Sequence, residues 1–177
     1  MNLLQLCDPE AAAVPVEASV ADAVRKMLDY HVGAVGVVDR EGRVAGIFTE
    51  RDVLRKLTLT GLNPETTPVR DLMTPNVEMA TEGTGPGEAM ATMVEHHFRH
   101  LPLINDAGKL LGILSIRNLL EWRIDGLRQE LDSLEHLIID NGILERDVTE
   151  IDLRSPTHYF FLLKGGEKKD VERGKET

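Results

Sequence analysis

Apolar positions along this chain follow two rhythms that alternate. From Ser19 to Tyr30 they recur at helical spacing, with Val20, Val24, Met27 and Leu28 on one face. A nearly unbroken apolar run follows, Ala34-Val35-Gly36-Val37-Val38, and predicts a buried strand. Asp39-Arg40-Glu41-Gly42 has turn chemistry and leads into a second strand, Val44 to Phe48. A second helix then opens at Thr49. The same succession returns later. Gly85 to His96 is helical in spacing, carried by Met90, Met93 and Val94, with Pro86 suited to a first helical position. Leu101-Pro102-Leu103-Ile104 predicts a strand, Asn105-Asp106-Ala107-Gly108 a turn, Leu110 to Leu114 a further strand, and Ser115 the start of a helix. Short strands at Ala13 to Val16 and Val77 to Ala80 precede the two units.

The two units are copies. An offset of 66 lays Gly46-Ile47-Phe48-Thr49-Glu50-Arg51-Asp52 on Gly112-Ile113-Leu114-Ser115-Ile116-Arg117-Asn118, and also Ala23 on Ala89, Met27 on Met93, His31 on His97 and Gly42 on Gly108. The order β-α-β-β-α, twice, places the chain in the α+β class. One copy cannot bury its apolar sheet face alone, so two copies packed sheet to sheet make the domain. The expected division is a first repeat over 1–57, a linker over 58–75 and a second repeat over 76–123. A helical extension over 124–142 and a tail over 143–177 follow. Gly61, Pro64, Pro68 and Pro75 mark the linker, with one helical turn expected at Val69 to Met73.

In the extension, Leu120, Ile124, Leu127, Leu131, Leu134 and Ile138 form a heptad stripe. Gly126 weakens it by about 1 kcal/mol relative to Ala, and Asn141-Gly142 is a plausible stop. A pair of repeats needs no third covering layer, so dimerisation or partner docking is the expectation for this helix over docking on its own domain. Thr157 to Leu163 predicts a strand, and the charged stretch from Gly165 to Thr177 predicts disorder.

Charge narrows the function. Lys and Arg number 20 against 30 Asp and Glu, a net charge of −10, which repels nucleic-acid backbones. Cys7 is the only cysteine, so no internal disulfide forms, and a reducing cytoplasm fits. Met1 to Pro9 lacks the pattern of a secretory signal, and no apolar run approaches a membrane span. The expectation is a soluble cytoplasmic protein that contacts neither nucleic acid nor membrane.

Three motifs then carry a specific resemblance. Val69-Arg70-Asp71-Leu72-Met73-Thr74-Pro75 resembles the lead-in to the second repeat of a CBS (cystathionine beta-synthase) domain pair. Arg99-His100-Leu101-Pro102-Leu103-Ile104 resembles that family's second strand, and Gly46 to Asp52 its strand-to-helix junction. The match spans roughly residues 10–123. It implies a tandem CBS pair: a stand-alone regulatory module that binds an adenosine nucleotide and is not an enzyme.

Thr49 and Asp52 have the spacing of a capping box, which needs no ligand. The resemblance adds a second role, with the Thr hydroxyl near phosphate and the Asp carboxylate accepting both ribose hydroxyls. In repeat two the pair is Ser115 and Asn118; the amide forfeits the charge-assisted bond, so that subsite is expected to be weaker. Arg51 and Arg117 are either solvated helix-face residues or phosphate partners beside a helix N-terminus. The resemblance also implies phosphate contacts for Arg99 and His100 and for Thr84. Their counterparts Gly33, Ala34 and Ala18 leave room, as if for adenine against Val35.

His96, His97 and His100 offer a competing metal reading, which an expected helix end near Phe98 disfavours. Gly83-Thr84-Gly85-Pro86-Gly87 lacks the Lys-Ser/Thr of a phosphate-binding loop. No catalytic triad is readable. The function this implies is a sensor for AMP, ADP, ATP or NAD, with magnesium as a possible companion, acting as a homodimer on an effector protein. The alternative is a ligand-free assembly scaffold working through its long helix.

Overall fold

The repeated apolar runs become two sheets of like build in the computed structural model, which describes residues 2–7, 13–140, 148–152, 158–163 and 168–172. The chain divides into two compact units, Met1–Trp122 and Arg123–Thr177.

In the first unit, β1 (Ala13–Pro15), β2 (Ala34–Val38), β3 (Val44–Thr49) and β4 (Thr74–Pro75) lie side by side in that order. β1 is parallel to β2 because α1 (Val20–Asp29) crosses between them; the other pairings are antiparallel. After β3 a helical run, α2, occupies residues 50–60, with a π-helical stretch Val53–Leu57 at its centre. The second sheet holds β5 (Ala80–Thr81), β6 (His100–Ile104) and β7 (Leu110–Ser115), with α3 (Pro86–Glu95) crossing between β5 and β6. α4 (Ile116–Asp140) follows β7.

Register repeats as faithfully as sequence. Ala34 lies opposite Thr49 and His100 opposite Ser115, and each sheet carries a bulge, at Val37/Val38 and at Leu103/Ile104. β2 packs against β7 and β3 against β6. The two hairpin turns also bond to each other: the Val44 amide donates to the Gly108 carbonyl at 3.3 Å, and the Leu110 amide to that of Gly42 at 3.1 Å. Gly42 and Gly108 adopt φ +80° and +73°, which a side chain resists.

His31 and His97 match for a backbone reason. Both sit in the left-handed region, at φ 54° and 58°, just past the ends of α1 and α3. Their amides bond back to Leu28 and Val94, and those of Val32 and Phe98 to Met27 and Met93, so each helix ends in the same Schellman motif. The alignment of His31 on His97 thus reflects a helix end that both repeats share.

Each core is completed from across the repeat boundary. Val69 and Leu72, in the expected linker, are buried with Val20, Met27, Val35 and Phe48 of repeat one. The helical turn expected there is a 3-10 turn, Val69–Asp71. Leu3, in a 3-10 turn Leu3–Leu6 near the N-terminus, is buried with Met93, Leu101 and Leu114 of repeat two. Leu3 and Val69 stand at the same offset of 66, so the internal repeat begins earlier than its motifs reveal. Burying one such aliphatic side chain is worth about 1.5–3 kcal/mol. The linker residues are therefore structural, and β4 is part of the first sheet.

The short strands are shifted from expectation: the second lies at Ala80–Thr81, not Val77 to Ala80. Helices also part company after the junctions. Gly61, at φ +66°, ends α2, whereas Leu127 at the equivalent place lets α4 continue.

The second unit comprises the remainder of α4 and an antiparallel sheet of β8 (Val148–Asp152), β9 (His158–Leu163) and β10 (Lys168–Glu172), ordered β10-β9-β8. β9 meets the strand expected at Thr157 to Leu163. Lys168–Glu172, expected in a disordered stretch, is instead a strand paired with β9: alternation of charged residues does not prevent an edge strand when its neighbour is as apolar as Tyr159-Phe160-Phe161. The expected stop at Asn141-Gly142 lies outside the described residues.

Candidate functional site

Two clefts open in the first unit where each strand-to-helix junction meets the other repeat. The first, a cavity of about 520 Å³, sets Thr49, Arg51 and Asp52 against His96, Phe98, Arg99 and His100. The second, about 450 Å³, sets Ser115, Arg117 and Asn118 against Tyr30, Val32, Gly33 and Ala34. The residues named here correspond between the clefts at the offset of 66, whereas Arg55, Lys56 and Asn76 line the first cleft without a counterpart in the second. Both volumes suit a small organic ligand.

The floor of cleft one is the start of α2. Thr49 ends β3 in an extended conformation and caps the helix: its hydroxyl accepts from the Asp52 amide at 3.3 Å. Asp52 Oδ2 accepts in return from the Thr49 amide at 2.9 Å and hydroxyl at 2.7 Å. Asp52 is only 8% exposed, and its Oδ1 takes an ion pair from Lys56 Nζ at 2.8 Å. Lys56 also donates to the Leu72 carbonyl at 2.8 Å, stapling α2 to the segment before β4. The capping box is thus real. Asp52 keeps acceptor capacity on Oδ1, since a carboxylate oxygen has two lone pairs.

Cleft two repeats this arrangement without charge. The Asn118 amide donates to the Ser115 hydroxyl at 3.1 Å, and that hydroxyl donates to Asn118 Oδ1. Arg117 is exposed, 4.0 Å from Glu121.

Four residues, Gly33, Glu50, Arg99 and His100, line both clefts and form the wall between them. The wall is pinned at both helix starts: the Glu50 amide donates to the Gly33 carbonyl at 3.1 Å, and the Ile116 amide to that of Arg99 at 2.9 Å. Gly33 must be small, because a Cβ there would stand 3.2 Å from His100 Nε2. Burial, aided by the charges of Arg99, Arg117 and Arg51, pushes the His100 imidazole down to about 4. At neutral pH it is an uncharged ring with one acceptor nitrogen.

Of the residues expected to bind, Thr49, Arg51, Asp52, Arg99 and His100 meet in cleft one, and Ser115, Arg117, Asn118, Arg99 and His100 in cleft two. Val35 and Thr84 line neither. Val35 is fully buried in the first core, and Thr84 accepts from the Thr81 amide at 3.0 Å in the turn before α3. Cleft one also gathers Arg55, Lys56, Asn76 and Phe98. Arg55 and Lys56 sit on the π-helical stretch, a feature frequent at functional sites. Asn76 is held at φ 52°. Lys56 was legible as an acid-to-lysine pair at i, i+4 from Asp52; Asn76 was not, because only the fold brings the linker back to the cleft. His96 stacks on Phe98 with centroids 5.9 Å apart. No group of His, Cys, Asp or Glu among the described residues is arranged to hold a metal ion.

A CBS domain family model matches residues 5–59 and 69–125. The chain belongs to the CBS domain family. Its tandem CBS pair has the two-sheet α+β fold of that family. An uncharacterised 17.7 kDa protein of Acidianus ambivalens is 35% identical over 121 residues, covering 68% of this chain and 72% of that one. A putative signal-transduction protein with CBS domains from Burkholderia ambifaria is 35% identical in structure-based comparison, with a TM-score of 0.62 over 71% of this chain and 95% of the other. A CBS domain protein of Pyrobaculum aerophilum, solved in complex with AMP, shares the fold at 22% identity and a TM-score of 0.60, covering 67% of this chain and 89% of that one. Among the described residues no helix of the CBS pair or its extension is long and apolar enough to cross a membrane.

Proposed function

We propose that this CBS pair is a regulatory, non-catalytic module that binds an adenosine nucleotide, with cleft one as the principal site. The observation that carries this reading is the buried Asp52 carboxylate, held in place by Thr49 and Lys56 on the floor of a cleft lined by Arg51, Arg55 and Arg99. An oriented carboxylate suits the vicinal hydroxyls of a ribose. The arginines and the start of α2 suit phosphate, and the Phe98–His96 face suits a purine ring. The AMP bound by the Pyrobaculum protein supports the same ligand class. Binding acts on an effector protein only if the nucleotide favours one arrangement of the repeats over another.

Cytoplasmic residence belongs to this reading. The test is a thermal-shift panel of AMP, ADP, ATP and NAD with and without magnesium, followed by calorimetry on the winner. A ligand at a hundredfold its Kd adds about 2.7 kcal/mol, which raises the melting temperature by several degrees. A flat panel from folded protein rejects the sensor and leaves the assembly scaffold, which the exposed apolar face of α4 favours.

A further inference from the structure

The floors of the two clefts offer a ligand opposite hydrogen-bonding character. In cleft one the Thr49 amide and hydroxyl occupy Asp52 Oδ2, so what Asp52 still presents is acceptor capacity on Oδ1. In cleft two the Ser115 hydroxyl donates to Asn118 Oδ1, which leaves Nδ2 as the atom at the equivalent place. Nδ2 has two protons to donate and no capacity to accept. Among the described residues no protein acceptor takes either proton. A half-buried amide thus presents unpaired donors to a cavity of about 450 Å³, where its repeat-one counterpart presents a buried carboxylate.

The neighbouring charges point the same way. Lys56, which pairs with Asp52 at 2.8 Å, has Trp122 as its counterpart, and Trp122 does not line cleft two. Among the described residues Glu50 is the only carboxylate lining cleft two, whereas Glu50, Asp52 and Glu78 all line cleft one. Arg117 is held only by an exposed pair with Glu121 at 4.0 Å, weak enough to give way to a phosphate. Arg99 lines the same cleft from the entry to β6.

A free ribose diol needs acceptors, and cleft one supplies an acid. A ribose phosphorylated on its 2′ or 3′ hydroxyl instead brings acceptors and a charge of about −1.5 to −2. Asp52 repels that group, whereas Asn118 Nδ2 and Arg117 match it. In dinucleotide-binding folds the same exchange, an acid for a ribose hydroxyl against an arginine for a ribose phosphate, separates the two nicotinamide cofactors.

We propose, on the adenosine-nucleotide reading of the clefts, that cleft two selects an adenosine nucleotide bearing a further phosphate on its ribose. Asn118 and Arg117 determine that choice, and Asp52 excludes the same ligand from cleft one.

Calorimetry on the full chain with AMP, adenosine 2′,5′-bisphosphate and adenosine 3′,5′-bisphosphate tests it, the two bisphosphates distinguishing the position of the phosphate. With AMP in excess to fill cleft one, one of the bisphosphates should still bind, at a single site. Asn118→Asp should weaken that bisphosphate at least tenfold and add a second AMP-binding event. Arg117→Ala, at an exposed position that leaves the fold untouched, should weaken it about tenfold. Bisphosphate binding indifferent to both substitutions, or a bisphosphate that only competes with AMP for one site, overturns the proposal. AMP binding with neither bisphosphate beside it also overturns it and leaves the adenosine reading standing, whereas no binding by any of the three rejects both.

Discussion

The two clefts are built on one plan and differ in chemistry. Each has a hydroxyl-capped helix start as its floor and the end of the other repeat's first helix as its wall. Cleft one holds a buried carboxylate with Lys56 on it and four cations around it, Arg51, Arg55, Lys56 and Arg99; cleft two holds an amide, Arg117 and the shared Arg99. The comparison teaches that the repeat fixes backbone geometry while single side chains at equivalent positions set the charge and volume of each cleft. Asp52 against Asn118, Lys56 against Trp122, and Gly33 against Arg99 each change charge or volume without disturbing the strand register.

The widest difference between the repeats to test is His100, whose counterpart Ala34 cannot titrate. Its folded value of about 4 lies below its ordinary 6.5. The unfolded chain therefore binds more protons between these values, and His100 supports the fold fully above pH 6.5 and loses that support as pH falls toward 4. The contribution is at most about 3 kcal/mol. Denaturant midpoints of His100→Gln and wild type should converge as pH falls from 7 to 4; parallel curves would mean the ring is not buried neutral.

Next is the pair of polar anchors. Asp52→Ala should weaken nucleotide binding by about thirtyfold, for a charge-assisted bond worth roughly 2 kcal/mol, while Asn118→Ala changes it little. The capping role of Asp52 also costs about 1 kcal/mol of stability, so calorimetry belongs well below the melting point. Equal losses at both sites would erase the proposed distinction. Asn118→Asp sharpens it by supplying the missing charge, and should add a second binding event.

Gly33→Ala is a smaller perturbation. The added methyl stands 3.2 Å from His100 Nε2 and 3.4 Å from Glu50 Oε2, so the ring must shift by a few tenths of an ångström, at about 1 kcal/mol. Because these residues line both clefts, affinity should fall in each, and a loss confined to one cleft would show that the wall is not shared. Slow labelling of Cys7 is the least of these effects: burial pushes its thiol up to about 12, so thiol reagents should label it more slowly in the folded protein than after unfolding.

Much of this was legible without a structure. Apolar periodicity located the crossing helices and the hairpin strands of both repeats within a residue or two, because 3.6 and 2.0 are properties of the local backbone; the short strand expected at Val77 to Ala80 was misplaced. The motif residues of both junctions were legible as well. What was not legible depends on the chain returning to itself. Asn76 reaches cleft one only because the expected linker runs along β3. Val35 reads as a surface for adenine until Phe48 and Val69 are seen packed with it. Lys168–Glu172 reads as a charged tail until β9 is beside it.

By itself the sequence determined the repeat, its offset, the element order and the inequality of Asp52 and Asn118, since each is a matter of residue identity and local spacing. Tertiary structure alone decided that Leu3 completes repeat two while Val69 completes repeat one, and that four residues serve both clefts. Those facts rest on contacts between segments far apart in the chain, where burial of apolar surface and not local conformation selects the partner.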